Sequence, residues 1–469
     1  MKASRRQFIG GSLSAAAMSW LPRPGSAAST RVLVLGAGLA GLHAARCLVE
    51  QGYEVVVLEA RQRVGGRIYT LDEVPGHPEG GGNIIGPNYG RVILTARQLG
   101  VGLKVPPRGA PGGLIMGDQK IQRADWPDSE LNPLPEQWRE LAPDRLGWAL
   151  LGENPLTWAS AWRDASMRQL DRSATEFYAS KGLNEQALRL IDVNNSYGNK
   201  LRDTSILSLY RVRGNIDRAI SMRQPAYEVA SGNMRLPEAM AADLGDRVET
   251  GVHVSSVRQT RSGVRVDSRD GRSWSGDFVL CTLPASVLRE LQLTPDLPVA
   301  QQQAVDALAY HKVTQAHLVA DSPWWEASDD PASWWTDGPL GRIFARPMAD
   351  GSGRYNLTCW INGDGCDEFD DMGEARAGQH ALALFEALLP AARGKVSLGR
   401  MVSWRNDPHS RGAWALWRPG DIGRFGDGLA RPHGRVFFAG EHTAFANAGM
   451  EAAMESGERA VLEIMRRLA

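Results

Sequence analysis

Residues 31–70 read RVLVLGAGLAGLHAARCLVEQGYEVVVLEARQRVGGRIYT, and the first thirty of them decide the fold. RVLVL is a short apolar run of β type, followed at once by Gly36, Ala37, Gly38, Leu39, Ala40 and Gly41, the GxGxxG spacing of a strand-to-helix turn. Leu42, Ala45, Leu48 and Val49 then recur at helical spacing until Gly52, and Glu54 to Leu58 forms a second apolar run. Gly36 permits the tight turn, Gly38 lets the backbone approach a pyrophosphate, and Gly41 lets helix and strand pack closely. Leu39 and Ala40 open the helix, whose free N–H groups and positive dipole end face the dianion. Glu59 ends the second strand, where a carboxylate accepts hydrogen bonds from adenosine ribose hydroxyls and disfavours a 2′-phosphate, and so NADP.

The run Glu59, Ala60, Arg61, Gln62, Arg63, Val64, Gly65, Gly66, Arg67 resembles the E-A-R-x-R-x-G-G-R signature of the flavin amine oxidase family, which includes monoamine and polyamine oxidases. The resemblance implies FAD rather than NAD. It assigns Arg61 and Arg67 to the pyrophosphate, a role that suits bidentate guanidinium groups, and it brings Ala60, Gly65 and Gly66 close to the cofactor.

Looser matches continue along the chain. Glu79 to Pro87 resembles the family segment that passes beside the flavin ring, with Gly82 and Asn83 against it. Ser231 to Leu236 resembles the G-G-M-x-x-L return to the FAD domain, and Val254 aligns with the valine whose backbone meets the adenine. Tyr310 to Leu318 resembles the strand in which a lysine holds a water against flavin N5, which gives that role to Lys312. Arg411 to Gly420 resembles the G-x-Y-x-x-x-x-P-G segment whose tyrosine walls an amine cage, and Trp414 stands there. Ala413 replaces the cysteine that carries a covalent flavin, so FAD is expected to bind non-covalently. Near the end, Ala439, Gly440, Glu441 resembles the step that hydrogen-bonds the ribityl chain, and the helix opening at Gly449 and Met450 points at flavin N1 and O2.

Two departures bear on substrate. The arginine that clamps a carboxylate in L-amino acid oxidases is replaced by Ile84, and Gly449 stands where a second cage tyrosine falls, so the cage is one-sided or borrows Trp417 or Trp360. The reading is an amine oxidase or dehydrogenase acting on a primary or secondary amine, with O2 or a periplasmic electron carrier as acceptor. The alternatives are an L-amino acid oxidase that clamps its carboxylate with Arg342 or Arg346, and an electron-transfer flavoprotein without an amine substrate.

The fold class expected is α/β, a Rossmann-type FAD-binding domain interleaved with an α+β substrate-binding domain. FAD-binding segments are expected at 30–110, 229–290 and 399–469, a helical insert at 111–228 and a strand-rich part at 291–398. The chain has 469 residues, with 53 basic and 53 acidic side chains, so nothing in its charge points to nucleic acid. Cys47, Cys281, Cys359 and Cys366 are too scattered for a disulfide framework or a zinc site, and no histidine spacing suits a metal. Ser4, Arg5, Arg6, Gln7, Phe8, Ile9 resembles a twin-arginine export motif; residues 1–28 are expected to be a signal peptide cut after Ala27 or Ala28, leaving the protein in the periplasm or exported. No other stretch is apolar enough to span a bilayer, and a homodimer is an open expectation.

Overall fold

The structure, a computed structural model, describes residues 30–107, 112–328 and 330–468; the expected signal peptide lies outside them. The Arg31–Leu35 strand sits in the middle of a five-stranded, wholly parallel sheet. Its strands run in the order Val436–Phe438, Phe278–Cys281, Arg31–Leu35, Glu54–Leu58, Val248–Glu249. Covered on both faces, the central strand is a continuous apolar run, with Val32, Leu33 and Val34 wholly buried. The Leu39–Glu50 helix packs on one face beside the C-terminal helix, Gly449–Leu468. These two helices touch closely, since a Cβ at Gly457 would lie 2.5 Å from the Ala40 carbonyl oxygen. A smaller sheet, Ser273–Gly276, Val264–Ser268, Val254–Gln259 and Gln292–Thr294, lies beyond.

The second large sheet has seven strands in the order Val396–Ser403, Val313–Ala320, Tyr355–Asn362, Arg342–Pro347, Ser333–Thr336, Gly112–Met116, Gln119–Ile121. Alternation along each strand divides its side chains between two faces. One face, including Ala316, Leu318, Ile343, Leu357 and Cys359, packs with Phe385 of the Glu374–Leu388 helix. From the other face Trp335 joins a cluster with Leu146, Leu190 and Tyr210, carried by the helices Pro143–Leu150, Glu185–Asp192 and Ile206–Ser221. All four cysteines are free and buried.

Three strands depart from the expected segmentation. Gly112–Met116 and Gln119–Ile121 fall where a helical insert is expected, yet they extend the seven-stranded sheet, the first running parallel to Ser333–Thr336. Gly113 is a steric necessity there, because a Cβ would meet the Trp334 ring at 2.5 Å. The Val396–Ser403 strand runs across the expected boundary at 398/399.

Four histidines are held in the neutral form, His311, His317 and His442 buried in the interior and His43 half-buried. Burial, with nearby arginine charge, pushes His43 and His317 down to about 3. Burial is also the main cause that brings His311 and His442 to about 4. The unfolded chain takes up these protons below its ordinary value of roughly 6.5 while the folded chain does not, so stability is complete above that pH and falls toward 4. Glu79, pushed up to about 8 mainly by burial, works in the opposite sense, as do Asp192, Glu238, Asp370, Asp421 and Glu451, whose carboxyls burial also raises. His317→Gln should therefore shift the pH dependence of the urea midpoint between pH 6.5 and 4 toward a smaller loss on acidification; an unchanged slope would remove His317 from the account.

Candidate active site

The C-terminal ends of the parallel strands open into a cavity of about 1620 Å³, where ligands of doubly wound sheets sit. At its floor Gly36 turns with φ +99°, and a Cβ at Gly41 would lie 2.0 Å from the Gly36 carbonyl oxygen, so the turn closes only without a side chain there. Gly41 lies beneath the cavity wall, whereas Gly36, Gly38, Leu39 and Ala40 form part of it. The helix is capped by Gly38 without a side-chain hydrogen bond, which leaves its N-terminal dipole open to an anion. A Cβ at Gly66 would meet Gly38 Cα at 3.3 Å, so the two glycines leave a backbone-lined slot.

Glu59, 4% exposed, is aimed by its own backbone neighbours: it accepts the N–H groups of Ala37 (2.8 Å) and Arg61 (2.9 Å). Ala60, Arg61, Gly65, Gly66, Arg67 and Val254 line the same wall. Arg61 donates to Asp407 (2.5 Å) and Ser410 (2.9 Å), which steady its guanidinium at the cavity edge. Arg67 donates to the Ala413 carbonyl (2.7 Å) and to Glu441 (3.0 Å), and Glu441 also accepts the Ala415 N–H (2.9 Å). Burial pushes the Glu441 carboxyl up, but Arg67, His442 and the Ala415 N–H outweigh it and hold it below its ordinary range. Gly82, Asn83, Gly440, Gly449 and Met450 complete the lining. These are the donors and the side-chain-free surfaces a flavin dinucleotide requires, and the residues fit FAD.

The cavity continues into an aromatic chamber lined by Trp360, Trp404, Trp414 and Trp417. Trp404 donates its indole N–H to the Gly80 carbonyl (2.8 Å), which sets it beside the glycine strip. Trp414 stacks on His311 (centroids 5.0 Å, planes 30° apart), held by an antiparallel pairing of two distant segments in which its carbonyl accepts the His311 N–H. Trp417 leans on Trp162. Beside Gly449 stands Tyr89, whose hydroxyl oxygen would be 2.8 Å from a Cβ at that glycine. Tyr89 lines the cavity and was not legible as a wall from the sequence, because it is carried by a different segment.

Lys312 requires a correction. Its ammonium is bound to Asp367 (2.9 Å) and Asp364 (3.0 Å), and it does not line the cavity. Burial opposes its charge, but the two carboxylates outweigh it and raise its pKa. The reason is the period of a strand: Val313 and Gln315 line the cavity, so Lys312 and Thr314 point to the opposite face, where Thr314 meets Asp370. The polar side chain this strand presents to the chamber is Gln315, 1% exposed, whose amide oxygen lies 3.0 Å from His317 Nε2. Buried His317 is neutral and donates from Nε2, while its Nδ1 faces the Thr358 hydroxyl at 3.3 Å. The Gln315 NH2 is thereby turned away from His317. Counting alternate residues from Val313 would have pointed to it.

A family model described as flavin containing amine oxidoreductase matches residues 39–465. Among curated proteins, the flavin-containing amine oxidase of Danio rerio is 27% identical, covering 92% of this chain and 85% of its own. The human flavin-containing amine oxidase B is 26% identical over 93% of this chain and 86% of its own. Among solved structures, cyclohexylamine oxidase from Brevibacterium oxydans IH-35A superposes with a TM-score of 0.76 at 21% identity, covering 94% of this chain and all of that one. Putrescine oxidase bound to putrescine gives 0.77 at 22%, with 94% and 100% covered.

Two outcomes test the geometry. Gly41→Val should abolish FAD retention, read as loss of visible absorbance in the purified protein, because the added carbons collide with the Gly36 carbonyl. Lys312→Met should leave the spectrum of bound FAD unaltered and cost about 1 kcal/mol or less in unfolding, as a partly exposed ion pair does; a shifted flavin spectrum would return Lys312 to the site.

Proposed function

The chain belongs to the flavin-containing amine oxidoreductase family, with FAD as its cofactor, and on that footing we propose that it is an exported oxidase or dehydrogenase of a primary or secondary amine. The observation that carries this reading is the continuity of one cavity, from the Gly36–Gly41 turn and Glu59 to the chamber of Trp360, Trp404 and Trp414. At about 1620 Å³ it exceeds the usual volume of a single-ligand pocket, roughly 300–1,000 Å³, and has room for a dinucleotide and a small substrate together.

When bound, FAD supplies the electron-accepting ring that takes a hydride from the carbon bearing the amine, giving an imine that water hydrolyses to an aldehyde or ketone. The chain's own residues prepare the substrate. The indoles exclude water and disfavour an ammonium ion, which matters because only a neutral amine has a lone pair to assist the breaking C–H bond. Trp414, fixed on His311, orients the substrate, and Gln315 offers a neutral N–H donor in the place expected for a cation. With Ala413 in the segment where relatives carry a flavin-linked cysteine, and with none of the four cysteines lining the cavity, the cofactor is held without a covalent bond. Export through the twin-arginine route, supported by the Ser4–Ile9 motif, suits a protein that must fold around its cofactor before crossing a membrane; the electrons then pass to O2 or to a periplasmic carrier.

Anaerobic mixing with a panel of amines should bleach the oxidised flavin absorbance. Bleaching by none of them would favour an electron-transfer role instead. Acid precipitation should release all the yellow colour into the supernatant, and N-terminal sequencing of the exported protein should begin at Ala28 or Ser29.

A further inference from the structure

Seven arginine and lysine side chains border the cavity, and five of them reach a carboxylate. Arg61 pairs with Asp407, Arg67 with Glu441, and Arg123 with Asp144, while Lys104 and Arg346 share Glu228. Arg211 lies against the carbonyls of Ala444 and Asn447 and over the Trp162 ring. Arg342, like Arg211, has no carboxylate within ion-pair distance among the described residues. Its guanidinium donates to Ser196 Oγ (2.5 Å) and lies 5.5 Å from the Phe344 ring centroid. Its Nε is buried with no partner, as is that of Arg211, but Arg211 has two backbone carbonyls to receive its N–H groups where Arg342 has one hydroxyl. Burial lowers its pKa, the sign of a charge taken from water without full repayment.

We infer that Arg342 receives a carboxylate at the far end of the substrate, several carbons from the reacting amine. The inference rests on the amine-oxidising reading above and adds the substrate class to it. Strand register supplies the distance. Gln315 pairs with Trp360, Trp360 with Arg342, and Arg342 with Trp335, all on the cavity face of the seven-stranded sheet. Two steps between antiparallel neighbours separate Gln315 from Arg342 by roughly 10 Å at Cα, and the Trp360 indole stands between them. A carboxylate on the reacting carbon itself does not bridge that gap, whereas one at the other end of an aliphatic chain does, with the chain lying along Trp360. A single unpaired guanidinium also matches a planar monoanion and leaves the second charge of a phosphate unanswered. Arg346, the other cation on this strand, is already bound to Glu228, which it shares with Lys104.

The test uses the FAD-loaded protein. Hexanoate and hexanamide, neither of which can be oxidised as an amine, are titrated against the visible spectrum of the bound flavin. Hexanoate should bind about 10- to 100-fold more tightly, the advantage of a charge-assisted hydrogen bond, and Arg342→Met should erase that advantage while leaving hexanamide binding unchanged. Arg342→Lys, which keeps the charge should the methionine variant fail to fold, should retain part of it. Equal affinity for the two ligands, or an advantage that survives Arg342→Met, overturns the assignment. Anaerobic reduction then places the carboxylate: 6-aminohexanoate should reduce the flavin at lower concentration than hexylamine and than its isomer norleucine. Preference for norleucine would overturn the remote position in favour of an α-carboxylate. Hexanoate binding that depends on Arg342, together with no reduction by any amine, would keep the anion site and overturn the amine reading, so the two failures are distinguishable.

Discussion

The molecule depends on one close approach. Where the first strand turns into the first helix there is no room for a β-carbon at Gly41, 2.0 Å from the Gly36 carbonyl, and across the same helix none at Gly457, 2.5 Å from the Ala40 carbonyl. These two contacts fasten the beginning of the described chain to its last helix. They also set the N-terminus of the first helix at the ends of the parallel strands, where its unpaired N–H groups can face a pyrophosphate. Glu59 is aimed by the same local geometry, since the two N–H groups it accepts belong to Ala37 and Arg61 on either side of the turn.

Charge compensation organises the walls in a similar way. Most cations of the walls are tolerated because a carboxylate is at hand: Arg61 is steadied by Asp407, and Arg67 by Glu441, which the Ala415 N–H holds in turn. These pairs join the first segment of the chain to residues more than three hundred positions later, so cofactor site and chain closure are one structure. Lys312 obeys the same rule on the wrong side of its sheet, and its two aspartates make it part of the scaffold.

Much of the site could be read in advance from contiguous motifs. The strand–turn–helix–strand of 31–58, the glycines and arginines that follow, and the Ala439–Glu441 step with its C-terminal helix are local patterns, and local patterns are set by steric and periodic rules that act within a few residues. The aromatic chamber was legible in part: Trp414 came from its segment, and Trp360 and Trp417 were named as walls that could be borrowed. Tyr89 was not, because its place beside Gly449 arises from two segments far apart in sequence. The Gly112–Met116 strand was hidden for the same reason, its pairing partner lying at Ser333–Thr336.

The role expected of Lys312 shows where sequence reading stops. Residue type suggested a lysine near the flavin, but a strand exchanges faces at every residue, and only the packed sheet establishes which alternate set looks inward. By itself the sequence determined the dinucleotide turn, the acidic ribose contact, the FAD signature and the absence of a cysteine at 413, because each is written in a few consecutive residues. Tertiary structure alone decided that Gln315 rather than Lys312 enters the chamber, that Arg346 meets Glu228 and that Arg342 is left without a counter-ion. Those outcomes depend on register and on charges brought together from distant segments, and no short stretch of sequence contains either.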